Sequence, residues 1–149
     1  MSRLMTTHIL VATLLSGTLA TLCGAAERSR SLSSPEIRTA LTDKIISYSP
    51  PGWADADISE VFYSDGKWIG TYYSRGPIGF SGRWIIEGNA ICVTPDANAI
   101  VSKWFSGSRC RTVWRGGNDK GLSIEHLDPR QAPSGPLVVS ISDLAISSR

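Results

Sequence analysis

The chain has 149 residues, with 15 basic and 13 acidic side chains and a formal net charge of +2. Charged residues make up 19% and apolar ones 42%, which excludes a disordered chain, a collagen-like rod and a coiled coil. A balance this close to neutral also argues against a dedicated nucleic-acid binder, and the length is that of one domain.

Arg3 is followed by an uncharged, largely apolar run over 9–22 and then by Gly24, Ala25 and Ala26. A positive start, a short apolar stretch and small residues together predict a secretory signal peptide over 1–26, cut after Ala26 or, as the alternative, after Ala25. The run is shorter than the roughly 20 apolar residues that cross a bilayer, so no transmembrane span is expected in the mature chain. The expected destination is the periplasm or the exterior. Cys23, at the end of the apolar run, makes lipid anchoring the alternative, although Leu22 stands where a lipoprotein signal wants a small residue.

Loss of 1–26 removes one charge, Arg3, and leaves two cysteines, Cys92 and Cys110. In an oxidising compartment an even pair reads as one disulfide, with two buried thiols as the alternative. No second Cys or His lies at ligand spacing to either, so neither a metal nor a cofactor is expected.

Residues 27–33 read as a polar, disordered leader, and 34–149 as a single domain. Ser34 suits a helix N-cap, Pro35 the first helical position and Glu36 the positive end of the helix dipole. Ile37, Leu41 and Ile45 then recur at helical spacing, which predicts about three turns ending before Tyr48, since Pro50 biases its predecessor away from helix. From about Asp57 the period changes to two. The run 58–63, the Asp65-Gly66 turn and the run 67–74 predict a hairpin, because type I′ turns need positive φ. Phe80, Gly82, Trp84 and Ile86 alternate on the next strand, and Glu87-Gly88-Asn89 turns into 90–94. A short strand is expected over 101–105. In 109–115, Cys110, Thr112 and Trp114 share one face, read as the interior, while Arg109, Arg111, Val113 and Arg115 share the other. Gly116-Gly117 opens a turn, 122–127 returns, 128–136 is a Pro-rich loop and 137–146 is the last strand. The expected fold is mainly β: a small antiparallel barrel or sandwich of seven or eight strands with one N-terminal helix.

The runs Phe62-Tyr63-Ser64-Asp65-Gly66, Gly82-Arg83-Trp84, Ile91-Cys92 and Cys110-Arg111-Thr112-Val113-Trp114 carry a more specific signal. Over about 34–127 the chain resembles a family of small exported proteobacterial β-proteins, domain of unknown function 995. That resemblance implies a disulfide-bonded β-fold and carries over no catalytic role. Gly82-x-Trp84 is also similar to the Gly-x-Trp of lipocalins and avidins, and is read here as a packing device in which Trp84 plugs the barrel.

No nucleophile elbow, phosphate loop or zinc-binding His pair appears, and catalysis is not expected. His126 stands between Glu125 and Leu127, which point to the face opposite its own. Asp55, Asp57 and Glu60 beside Trp53 form an acidic cluster of the kind that suits sugar chemistry, read here as a solvated loop. The expected role is a non-catalytic binding module of the cell envelope for a small or polymeric ligand. The alternative is a protein-binding inhibitor of a cell-wall hydrolase or other envelope enzyme. Trp53, Trp104, Arg109, Arg111 and Arg115 are the candidate binding surface. Trp84 and Trp114 are expected to be buried, and Trp53 exposed.

Overall fold

The computed structural model describes residues 29–52, 56–116 and 121–144. The signal-peptide region, Cys23 and Trp53 therefore lie outside the described residues. A short strand β1 (Arg30–Ser31) and helix α1 (Ser34–Leu41) precede β2 (Lys44–Tyr48), β3 (Asp57–Phe62), β4 (Lys67–Tyr73), β5 (Pro77–Glu87) and β6 (Ala90–Pro95). Then come β7 (Arg109–Arg115), β8 (Leu122–Ile124) and β9 (Leu137–Asp143). From β2 to β9 each strand is antiparallel to the next, and β9 returns to pair with β2. The result is a closed up-and-down barrel of eight strands, with β1 added beside the end of β7.

The hairpins follow from local chemistry. The first forms at Asp65-Gly66, but not through the expected type I′ turn: within it Gly66 alone takes positive φ, +83°. The Gly66 N–H donates to the Tyr63 carbonyl at 3.0 Å, so that Ser64 and Asp65 are the central residues, and the Asp65 carboxylate accepts from the Lys67 N–H at 2.8 Å. Gly82 has a packing role: a Cβ there would sit 2.2 Å from the Thr94 carbonyl oxygen of β6. Two residues on, Trp84 is only 5% exposed. Its indole N–H donates to the Tyr63 carbonyl at 2.8 Å, and its ring meets Phe62 edge-on at 5.6 Å. The expected Gly-x-Trp packing device is what the barrel contains.

Four expectations are corrected. The helix stops at Leu41 rather than running through Ile45. Thr42 is already extended, Asp43 adopts φ 55° and donates its N–H to the Phe62 carbonyl, and β-branched Ile45 and Ile46 continue as strand β2. Its N-cap is Ser33, one residue earlier than expected. The Glu36 carboxylate turns back to accept from the Ser33 N–H and hydroxyl at 2.9 and 2.8 Å. Arg30 and Ser33 together hold the Glu36 carboxyl well below the usual carboxylate range. The end of the leader is not disordered: Arg30–Ser31 pairs with β7, and Leu32 is fully buried. The strand expected over 101–105 is instead a 3-10 turn, Ile100–Lys103. Val101 and Trp104 lie three apart, a spacing that serves such a turn as well as alternation serves a strand, and Val101 plugs the core there.

The barrel is stoppered at both ends. Ile37 and Leu41 of α1 join the core with Leu32, and α1 packs against β2, β5 and β6. The 3-10 turn carries Val101 into the same core. Eight strands enclose a space that side chains just fill, and here Trp68, Phe62, Phe80, Ile58 and Ile91 fill it.

Candidate functional site

Strand alternation sends Tyr48 of β2, Glu60 of β3, Trp68 of β4 and Arg111 of β7 into the barrel. Arg111 donates to both Glu60 carboxylate oxygens, at 2.8 and 2.7 Å. The Tyr48 hydroxyl and the Trp68 indole N–H donate to the same two oxygens at 2.6 and 2.8 Å. Glu60 and Arg111 are both 0% exposed. Burial, then the Glu60 charge, pushes the Tyr48 phenol well above its ordinary value. Burial alone opposes the Arg111 charge, but Glu60 and Tyr48 hold the guanidinium protonated more firmly than in water. A buried carboxylate with four charge-assisted or polar donors is a satisfied structural centre. It fills the barrel axis, so the middle of the interior is packing and not a calyx.

This overturns two readings made from spacing. Arg111 belongs to no surface: the face of β7 expected to be solvated turns inward, with Arg111 and Val113 buried. Glu60, grouped with Asp55 and Asp57 as a solvated acid, is at the centre of the core. By the same inversion Cys110 is exposed on the outer face, and Trp114 is only half-buried there, opposite Ser31. The disulfide itself forms as expected, between the register partners Cys92 and Cys110 of β6 and β7. Glu87 approaches Cys92 Sγ at 3.8 Å, giving a cluster of metal-ligating types, but the disulfide occupies both sulfurs.

The remaining basic candidates do not form one ladder. Arg109 turns to the far end of the barrel, where a guanidinium N–H donates to the His126 carbonyl at 3.3 Å. Arg115 lies at the α1 end, beside Pro35, Thr39 and Ala40. Trp104 is half-buried, its ring edge-on to Tyr72 at 5.7 Å, and belongs to the rim of the core. His126 is buried; desolvation and Arg109 lower its pKa against the opposing pull of Asp128 and a hydrogen bond with the Gly135 backbone. Asp128 is held below its usual value by Arg130, whose guanidinium donates to it at 2.6 to 3.1 Å.

A concave feature lies across the outer face of β3, β2 and β9. It is a cleft of about 780 Å³, within the range of ligand sites. The register places Ser59, Ser47 and Ser140 side by side along its floor. Tyr73, Asp57, Ser49 and Val138 line it one step further along the strands, with Pro51 and Pro136 at its margins. Tyr73 is 45% exposed and Val138 75%. Asp57 accepts from the Ser49 hydroxyl. Of the cleft residues, Asp57 belongs to the acidic cluster legible in the sequence, and Tyr73 is one of the aromatics that suggest ligand binding there. The serines carry no recognisable motif; their meeting depends on the β2–β9 pairing, which joins strands from opposite ends of the chain.

No family model, curated protein or solved structure matches the chain. The fold and the site define a closed, filled eight-stranded β-barrel with an external cleft at the seam between its first and last barrel strands.

Proposed function

We propose that the protein is an exported, non-catalytic binding module of the cell envelope that holds a small or polymeric ligand in the outer cleft between β2, β3 and β9. The observation that carries this reading is the cleft itself, with an aromatic ring, a carboxylate and a row of serine hydroxyls converging on about 780 Å³ of concave surface. Export draws support from the charged and then apolar N-terminus and from the disulfide, which suits an oxidising space. No helix among the described residues is long and apolar enough to cross a membrane. Trp53 remains a proposed contact residue; Pro51 and Asp57, on either side of it in sequence, both line the cleft.

Amide chemical-shift mapping of the isotope-labelled protein against fractionated envelope extract tests the reading. Shifts centred on Ser47, Ser59, Tyr73 and Ser140 are expected. Shifts centred instead on Arg109 or Arg115, with the cleft unmoved, would replace it by the protein-binding alternative.

A further inference from the structure

We infer that the cleft takes an uncharged glycan chain, laid across the strands rather than along them; this rests on the reading of the cleft as the binding site. The first support is periodicity. Ser59, Ser47 and Ser140 are register partners on three adjacent strands, and Thr71 extends the same outward row onto β4. Neighbouring strands lie about 4.8 Å apart, so the four hydroxyls repeat at that spacing over roughly 14 Å. None of these four side chains has a hydrogen-bond partner among the described residues. A hydroxyl both donates and accepts. An evenly spaced row of free hydroxyls therefore complements a ligand that itself repeats hydroxyls at similar intervals, as an extended sugar chain does.

The second support is the neighbouring row. Tyr73 is the register partner of Asp57, and Ser49 and Val138 complete the lining on the β2 and β9 side. An exposed ring offers a flat apolar face to the C–H face of a pyranose, and a carboxylate accepts from vicinal hydroxyls. Competing chemistries fit less well. Among the described residues neither Lys nor Arg lines the cleft and the charged group there is Asp57, so a phosphate or a uronate would meet repulsion with no counter-charge from them. An extended peptide recognises a sheet through a free backbone edge, and β2, paired on both sides, has none here. A lipid chain wants an unbroken apolar floor, and here Ser47, Ser59 and Ser140 interrupt it.

Isothermal titration and amide mapping with cellohexaose, chitohexaose and mannohexaose, against hexagalacturonate as the acidic counterpart, test the inference. At least one neutral hexasaccharide is expected to bind and to move the Ser47, Ser59 and Ser140 amides, with hexagalacturonate at least about tenfold weaker. Tyr73→Ala and the double variant Ser47→Val/Ser59→Val are each expected to weaken binding about tenfold or more, with thermal unfolding unchanged, while Tyr73→Phe keeps the affinity. Tighter binding of hexagalacturonate, or neutral hexasaccharides that leave the cleft amides unmoved at millimolar concentration, overturns it. If a ligand that is not a sugar moves those amides, the glycan inference falls and the binding module stands. If sugars bind only away from the cleft, both fall.

Discussion

Replacing Arg111 by methionine isolates the energetics of the barrel axis. Methionine keeps much of the length and apolar bulk of the side chain but removes both donors that reach Glu60 at 2.8 and 2.7 Å. The carboxylate is then left fully buried with the Tyr48 hydroxyl and the Trp68 indole N–H as its remaining donors. Removing one partner of a buried ion pair costs about 3–5 kcal/mol, because an uncompensated charge stays behind. For a domain of ordinary stability, about 5–15 kcal/mol, that is a large fraction. At about 4 °C per kcal/mol the melting temperature should fall by roughly 12–20 °C. The double variant Arg111→Met/Glu60→Leu should recover at most part of this loss, because the buried charge is gone. It leaves Tyr48 and Trp68 without their acceptor, which limits the recovery by about 1–3 kcal/mol for each orphaned donor. Urea titration followed by tryptophan fluorescence reads all three proteins. A single-variant loss below about 1 kcal/mol would refute the reasoning, because a pair that cheap to break is solvated.

Trp84→Ala should cost about 3–5 kcal/mol, since the ring is buried against Phe62, whereas Trp53→Ala should cost under about 0.5; equal losses in chemical denaturation would put Trp53 in the core. Cys92→Ser should lower stability by about 2–5 kcal/mol, and thiol labelling of the native, non-reduced protein should find neither Cys92 nor Cys110 reactive. The lowered pKa of His126 means that the unfolded chain takes up a proton before the folded one does. Its contribution is therefore fully favourable above about pH 6.5 and declines below it, by at most about 1.4 kcal/mol per pH unit. Urea melts at pH 7.5 and 5.5 should show the decline, and His126→Gln should remove it.

What the sequence made legible follows from how local each feature is. The Asp65-Gly66 turn, the Gly82-x-Trp84 packing and the disulfide all rest on interactions within a strand or between consecutive strands, and all three are present. The orientation of β7 is not legible in this way, because alternation gives two faces without saying which is inside. Hydrophobicity favoured the face of Cys110 and Trp114. The deciding partner of Arg111 is Glu60, 51 residues away in the chain and itself unremarkable by spacing. Spacing alone carries helix α1 too far because Ile45 fits both a period of 3.6 and a strand, whereas Asp43 breaks the helix by adopting positive φ. The cleft was invisible for the same reason as the ion pair: its floor is assembled by register, not by neighbours in sequence.

The pairing of β2 with β9 differs in kind from the rest of the circuit. Every other barrel contact joins consecutive strands, whereas this one aligns Lys44 with Asp143, 99 residues apart. Loop-closure entropy makes such a contact the slow, late event of folding. The exposed Lys44–Asp143 ion pair adds little to hold it. The seam should therefore have low φ-values, and its parting should be the first event of unfolding. A molecule resting on Ser47 and Ser140 bridges the two sides of that seam. It should then slow the unfolding rate while leaving the folding rate almost unchanged, so occupancy of the cleft can be read from one arm of a chevron plot alone.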